Sequence, residues 1–258
     1  MAEFFETYFG LKGRKALVTG AGRGIGRAIA SGLAAAGAEV CIHYNKSREA
    51  ADEAVSDITA AGGSAWSAGG DLTNSAQANA LAEAVGARWK CLDILVNNAG
   101  DLVKRSPVAD ASDELIDQVI KVNIHTALYT TRACLPLLRL GQKPCIVNLG
   151  SIAAHNGGSN GATIYASTKG AIHTYTRGLA RELAPQIRVN GIAPGVALTD
   201  FHRTHSKPEA LEAIAVSTPL KRLGTAEDMI AATVFLCAAG AEFITGETIE
   251  INGGLWVA

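Results

Sequence analysis

Lys15-Ala16-Leu17-Val18-Thr19-Gly20-Ala21-Gly22-Arg23-Gly24-Ile25-Gly26 is the stretch whose reading decides the fold. A short β-type run from Lys15 to Thr19 leads directly into a glycine loop, and a helix-forming stretch from Arg27 to Ala36 follows. In that order the glycines let backbone approach a pyrophosphate, and the free N–H groups and positive dipole end of the helix hold its charge. The fingerprint Gly-x-Gly-x-x-Gly fails in either register, because Ile25 and Arg27 stand where its third glycine is required. The longer loop Thr-Gly-x-x-x-Gly-x-Gly fits. A glycine-rich surface turn would leave both the preceding strand and the following helix unexplained.

Outward from this loop, strand and helix alternate. Gly37-Ala38 ends the first helix, and Glu39 to Tyr44 reads as the second strand, which closes a βαβ unit. The next helix, near Arg48 to Ala61, stops at Gly62-Gly63, and Ser64 to Ala68 is a weak third strand ending at Gly69-Gly70-Asp71-Leu72. Asn74, with Gln77 three residues on, has the spacing of a helix start. Asp93 to Val96 is a fourth strand ending in Asn97-Asn98-Ala99-Gly100. A long helical stretch from about Ser112 to Leu140 carries Asn123 in its middle, where asparagine is unfavourable; an exposed polar position is the bland reading of it. Cys145 to Leu149 and Arg188 to Gly195 supply the fifth strand and a sixth strand with its turn, and Glu247 to Ile251 the last. Thr225, with Glu227 and Asp228 after it, starts the final long helix. The expected fold is α/β: a single domain over residues 1–258, a doubly wound parallel sheet of about seven strands with helices on both faces, Rossmann-like. Residues 200–224 are more polar, interrupt the alternation and read as a substrate-covering insertion.

The chemistry is expected between Ser151 and Lys169. Ser151 follows the fifth strand at its carboxyl end, where open α/β sheets keep their sites. After a glycine-rich loop, Tyr165 and Lys169 lie four apart, on one face of a helix. A phenol titrates near pH 10, and a neighbouring ammonium lowers that value. Lys169 can be that ammonium, and the Ser151 hydroxyl can bond the oxygen that exchanges its proton with Tyr165. Such a trio suits ketone reduction or alcohol oxidation, although Tyr-x-x-x-Lys by itself is commonly helix-surface decoration.

Composition narrows the partners. With 258 residues, 48% hydrophobic and 18% charged, and a net charge of −1, the chain can bury a large core and offers no basic stripe for nucleic acid or an anionic membrane. The amino terminus has two acids and no basic segment, so it does not read as a secretory signal; the apolar run from Ala231 to Ala241 is too short to span a bilayer. These features point to the cytoplasm and to a small-molecule partner. The five cysteines lie scattered in apolar segments as free thiols do, and His202-x-x-His205 lacks a zinc-type ligand set, so no metal is expected.

Thr19 to Gly26, Asn97 to Gly100, Asn123, Ser151, Tyr165 and Lys169, in that order, resemble the motifs of the short-chain dehydrogenase/reductase family over nearly the whole chain. The resemblance implies that Tyr165 is the acid/base, that Ser151 orients the substrate oxygen, and that Lys169 lowers the phenol pKa and holds the nicotinamide ribose. It implies that Asn123 holds a water in the proton relay. Gly20, Gly24, Ile25 and Gly26 would then line the pyrophosphate, Asp71 and Leu72 the adenine, and Asn98, Ala99 and Gly100 the adenosine side. Pro194, Gly195, Val196 and Thr199 would meet the nicotinamide end. Three departures lie near the substrate: the Ser-to-Tyr interval of fourteen, Ala197 where isoleucine is frequent, and Asp101 after the Asn-Asn-Ala-Gly motif.

The implied activity is hydride transfer between a nicotinamide and a ketone or secondary alcohol; the alternative is a catalytically silent dinucleotide-binding sensor or scaffold. Substrates range from 3-oxoacyl thioesters to sugars, polyols and small ketones, with His155, Asn156, His202 and Arg203 leaning toward a polar one. NADP(H) is expected over NAD(H), because the second strand ends Tyr44-Asn45-Lys46-Ser47-Arg48 with no acid before Glu49, and Arg23 in the glycine loop can grip a 2′-phosphate with Asn45 and Ser47. The few charges on 124–138 and 166–179 predict helices covered by partner subunits in a homotetramer.

Overall fold

The computed structural model describes residues 2–257; Met1, Ala258 and the side chains of Ala2 and Arg203 lie outside the described residues. Helix α1 (Ala2–Phe9) precedes strand β1 (Lys15–Val18), α2 (Gly24–Ala35), β2 (Glu39–Tyr44), α3 (Arg48–Ala60), β3 (Ser64–Gly69), α4 (Ser75–Trp89) and β4 (Ile94–Asn97). Then come α5 (Asp113–Ile120), a π-helical turn (Lys121–His125), α6 (Thr126–Leu138), β5 (Cys145–Leu149), the short α7 (Ala153–Asn156) and α8 (Thr163–Leu183). The chain closes with β6 (Arg188–Pro194), α9 (Asp200–His205), α10 (Pro208–Ser217), α11 (Ile230–Cys237) and β7 (Thr248–Ile251).

The strands form one parallel sheet in the order β3-β2-β1-β4-β5-β6-β7, the doubly wound arrangement expected. Strands buried on both faces read as continuous apolar runs, and β4 and β5 are buried at every position. The edge strand β3, Ser-Ala-Trp-Ser-Ala-Gly, is only partly covered, which is why its sequence signal is weak. Side chains alternate between two cores. Ala16, Val18, Val96 and Val147 pack under α2 and α11 with Ile29, Leu33 and Leu236. Leu17, Leu95 and Ile146 face α4, α6 and α8 with Val85, Cys134 and Leu179. Strand order reverses between β1 and β4, so a crevice opens at their carboxyl ends.

The single helical stretch expected from Ser112 to Leu140 is instead α5 and α6 joined by the π turn. Asn123 in that turn is 2% exposed, which overturns its reading as an exposed polar position. Its Nδ2 donates to the Val119 carbonyl at 2.9 Å, the acceptor one helical turn back. That acceptor is thereby shared with a side chain, and one residue is inserted into the ladder. The polar segment 200–224 contains two helices, α9 and α10, and the final helix opens with a 3-10 turn, Glu227–Met229, before α11. Among the described residues no helix is long and apolar enough to cross a membrane, and no cluster of three or more His, Cys, Asp or Glu could hold a metal ion.

Candidate active site

The glycine loop is anchored from two strands. Thr19 Oγ1 accepts from the backbone N–H of Asn98 and of Ala99, each at 3.0 Å, and Asn98 Nδ2 donates to the carbonyls of Thr19 and Gly20 at 2.8 and 3.0 Å. Gly26 has to be glycine here: a Cβ would lie 2.4 Å from Asn98 Nδ2 and 2.5 Å from the Gly20 oxygen. The side chain of Asn98 thus holds the loop itself. Helix α2 begins after Arg23 with no side-chain cap and no acid in its first turn, so its leading N–H groups are left for an anion. These uncapped donors at the β1–β4 crevice fit a dinucleotide pyrophosphate. Across the crevice, a Cβ built on Gly24 would sit 3.8 Å from that of Thr199, which brings the turn after β6 over the glycine loop.

Other expected cofactor residues divide by exposure. Arg23, Asn45 and Ser47 are exposed, and Tyr44 is half-buried. Asp71 spends Oδ1 on the N–H and hydroxyl of Thr73, while Leu72, 2% exposed, belongs to the core and has only its backbone to offer an adenine. Pro194 is buried; Gly195 donates to the Ile251 carbonyl at 2.9 Å and, with Val196, lines a cleft of about 490 Å³ that runs toward the C-terminal turn.

Ser151, Tyr165, Lys169 and Asn123 come together at the carboxyl ends of β4 and β5. Ser151 Oγ accepts from the Ala153 N–H at 3.1 Å, and its hydroxyl is near enough to that of Tyr165 to pull the phenol's pKa down. Lys169, buried one turn along α8 from Tyr165, donates from Nζ to the Leu149 carbonyl at 2.8 Å and lies 5.6 Å from the centre of the phenol ring. Gly100 closes the group: a Cβ there would be 2.6 Å from Asn123 Oδ1 and 3.5 Å from Lys169 Nζ. Asn123 spends both Nδ2 hydrogens, on the carbonyls of Asp101 and Val119 at 2.7 and 2.9 Å, and its Oδ1 accepts from the Asp101 N–H at 3.2 Å. A water held there would meet the remaining lone pair of Oδ1 or the backbone, not the amide nitrogen.

Burial shifts both titrating groups of the site. The phenol of Tyr165 is pushed up to about 12, first by burial; the Ser151 hydrogen bond acts downward and the Asp101 charge upward. The Lys169 ammonium is buried as well and is pushed down to about 8. Desolvation disfavours both charged forms and is the first cause of each shift.

Comparison with known proteins places this geometry. A family model described as enoyl-(acyl carrier protein) reductase matches residues 20–256. The rhamnolipid-biosynthesis 3-oxoacyl-[acyl-carrier-protein] reductase of Pseudomonas aeruginosa is 37% identical over 257 residues, 96% of this chain and 98% of that protein. The chain belongs to the short-chain dehydrogenase/reductase family. Another member, the 7alpha-hydroxysteroid dehydrogenase of Escherichia coli, is 34% identical over 248 residues, 95% of this chain and 94% of that protein. Among solved structures of short-chain dehydrogenase/reductases, the Pseudomonas aeruginosa RhlG/NADP active-site complex superposes with a TM-score of 0.89 at 36% identity, over 96% of this chain and 98% of that one. A 7α-hydroxysteroid dehydrogenase complexed with NADH and 7-oxo glycochenodeoxycholic acid gives 0.90 at 33% identity, with 96% of each chain covered. The chain is thus an oxidoreductase of this family using a nicotinamide dinucleotide.

Two histidines of this short-chain dehydrogenase/reductase escape the sequence reading. His43, 2% exposed in β2, accepts from the Gly20 N–H at Nδ1 (3.2 Å) and meets the Gly70 carbonyl at Nε2 (2.9 Å), which ties the glycine loop to the turn after β3. Burial pushes it down to about 4, so it is neutral, as an Nδ1 acceptor must be. His173, one turn beyond Lys169, accepts from the Ser151 N–H at 3.4 Å and is likewise pushed down to about 4, chiefly by burial. A histidine inside an apolar strand or on a buried helix face was the only signal either carried.

Proposed function

We propose that this chain is an NADP(H)-dependent carbonyl reductase or alcohol dehydrogenase in which Tyr165 exchanges the proton and Ser151 orients the substrate oxygen. The observation that carries the reading is the convergence of the Ser151–Tyr165 hydroxyl pair, buried Lys169 and Asn123 beside the uncapped start of α2. When bound, the nicotinamide supplies or accepts the hydride at the substrate carbon. Ser151 Oγ and the Tyr165 hydroxyl converge on the substrate oxygen, so negative charge growing there meets two O–H donors. Burial holds the phenol neutral, so Tyr165 gives its proton to the growing alkoxide in ketone reduction and takes one back in alcohol oxidation. Lys169, pinned to the Leu149 carbonyl, is within reach of a ribose hydroxyl at the crevice and keeps positive charge beneath the phenol. The test is a cofactor-oxidation screen of the purified protein against oxoacyl thioesters, sugars and aromatic ketones; no turnover on any panel would sink the reading.

The preference for NADP(H) rests on the end of β2. Arg23 and Lys46 are exposed and form no ion pair among the described residues, and no carboxylate stands before Glu49 to accept the 2′-OH or repel a phosphate. Arg23→Ala is expected to lower kcat/KM with NADPH about 10- to 100-fold, the worth of a charge-assisted hydrogen bond, and to change the NADH value by less than about threefold. Asn45→Asp should shift preference toward NADH. A wild-type NADPH/NADH ratio at or below unity overturns the assignment.

A homotetramer and a cytoplasmic setting complete the reading. Ile124, Leu128, Leu135 and Leu137 are only partly covered, on helices with few charges, and Phe243 and Val257 stand exposed on either side of β7. All five cysteines are free, as in a reducing compartment. Sedimentation velocity at micromolar concentration reads the assembly directly, and a monomer there overturns it.

A further inference from the structure

Asp101 immediately follows Gly100, and Asn123 fixes its backbone on both sides. Its carboxylate points away from that pair and meets Nε2 of His205, the last residue of α9, at 3.2 Å. Four residues on, Arg105 donates from Nε to the His205 carbonyl at 2.6 Å and from Nη1 to the Ser159 carbonyl at 2.7 Å, and the Ser106 N–H bonds the Gly161 carbonyl at 2.9 Å. The loop after β4 therefore grips both α9 and the glycine-rich loop ahead of α8. On α9, the ring of Phe201 lies 5.9 Å from that of Tyr165 and 5.1 Å from that of His205.

Six residues cannot hold a helix in water, and α9 has no side-chain cap at Thr199. Its position is set from outside. Arg105 acts on backbone carbonyls that any residue would offer; among the described residues, the Asp101–His205 contact is the polar tie from this loop to α9 that depends on both side chains. We propose that Asp101, through His205, is a positioning residue: it clamps α9 so that Phe201 is held against the Tyr165 ring as one wall of the pocket in which the substrate carbonyl meets that hydroxyl. The role at Tyr165 rests on the proposed function; the clamp itself does not. It also accounts for an acid directly after the Asn-Asn-Ala-Gly motif. A carboxylate at that point reaches the imidazole, and a small apolar side chain would not.

The test is hydrogen exchange on the full-length protein, without cofactor and with NADPH, paired with steady-state kinetics on the best ketone of the screen. The variants are Asp101→Ala, Asp101→Asn, His205→Ala and the double alanine variant. The half-exposed contact sets the scale: exchange at the Ser206 amide, which bonds the His202 carbonyl, should quicken about two- to fivefold in each alanine variant. The double variant should be no faster than either single one, because all three remove the same contact. Asp101→Asn should keep most of the protection, since an amide can pair with the imidazole in either tautomer. KM for the ketone should rise by a similar factor in the alanine variants and recover in Asp101→Asn, with kcat within about twofold and NADPH affinity unchanged. Unchanged exchange at α9, additive effects in the double variant, or lost protection with an unmoved KM each overturn the proposal. If no ketone is reduced, the reading of Tyr165 fails, and with it the positioning role, while the exchange data still decide whether Asp101 and His205 clamp α9.

Discussion

Tyr165→Phe is expected to lower kcat by about 10² to 10⁴ while NADPH binds as tightly as before. The substitution deletes one hydroxyl and leaves the ring. Its contact with Phe201 and its place one turn before Lys169 are unchanged, so nothing that shapes the crevice is disturbed. What disappears is the O–H beside Ser151 that we propose gives its proton to the substrate oxygen. Ser151 remains, and with it the hydrogen bond that orients the carbonyl, so a residual rate over background should persist. Fluorescence titration with NADPH and turnover on any ketone from the screen check the two halves separately. A variant with wild-type kcat would remove Tyr165 from the chemistry.

Lys169→Met should separate activity from stability. Methionine keeps most of the volume of the side chain and removes the ammonium, so kcat should fall by about 10²-fold, and NADPH affinity should weaken with it. Stability should move the other way. The folded-state pKa of Lys169 lies near 8, below the ordinary lysine value. The unfolded chain therefore binds the extra proton between about pH 8 and 10.5, and the contribution of Lys169 to wild-type stability rises with pH through that window. The variant lacks that slope. Below pH 8 it is relieved of a buried charge that costs about 3 kcal/mol, offset by about 1 kcal/mol for the Leu149 carbonyl left without its donor. Tyr165 and the buried thiols of Cys41 and Cys134, whose raised pKa values make stability fall at high pH, act on both proteins alike and drop out of the difference. Chemical unfolding of both proteins between pH 7 and 10 measures the difference, and parallel curves would mean that Lys169 is not held as described.

Both expectations depend on burial, which spacing does not report. The interval Tyr-x-x-x-Lys puts the two groups on one face of α8, and that much was legible, as was the strand, glycine loop and helix around Gly20. Apolar runs such as Cys145 to Leu149 have one reading when a sheet is covered on both sides. What stayed hidden was solvation. Four residues of helix say nothing about whether the face they share looks at water or at a core, and here the core pushes the phenol up. His43 and His173 were hidden for a related reason: a buried histidine differs from an exposed one by its partners, Gly20 and Ser151, which lie more than twenty residues away. The segment 200–224 was legible as a polar interruption, but α9 was not, because its place comes from Asp101, Arg105 and Tyr165 and hardly from its own six residues.

The π turn around Asn123 bears on how this chain can change in length. Each residue of an α-helix turns the next by about 100°. The π turn holds one residue more than an α-turn, so removing one between Lys121 and Ile124 would let it close as ordinary helix with α6 still in register. Removing one from the first turn of α6 itself, where no residue is spare, would rotate everything after it by that amount: Thr130, Cys134 and Leu138 would swing out of the core, and Trp89 and Leu95 would lose their cover. From Thr126 to Leu138 the residue count is therefore fixed by the core, while the turn before it carries the one residue that the register can spare, at the cost of the bend that brings Asn123 to Gly100.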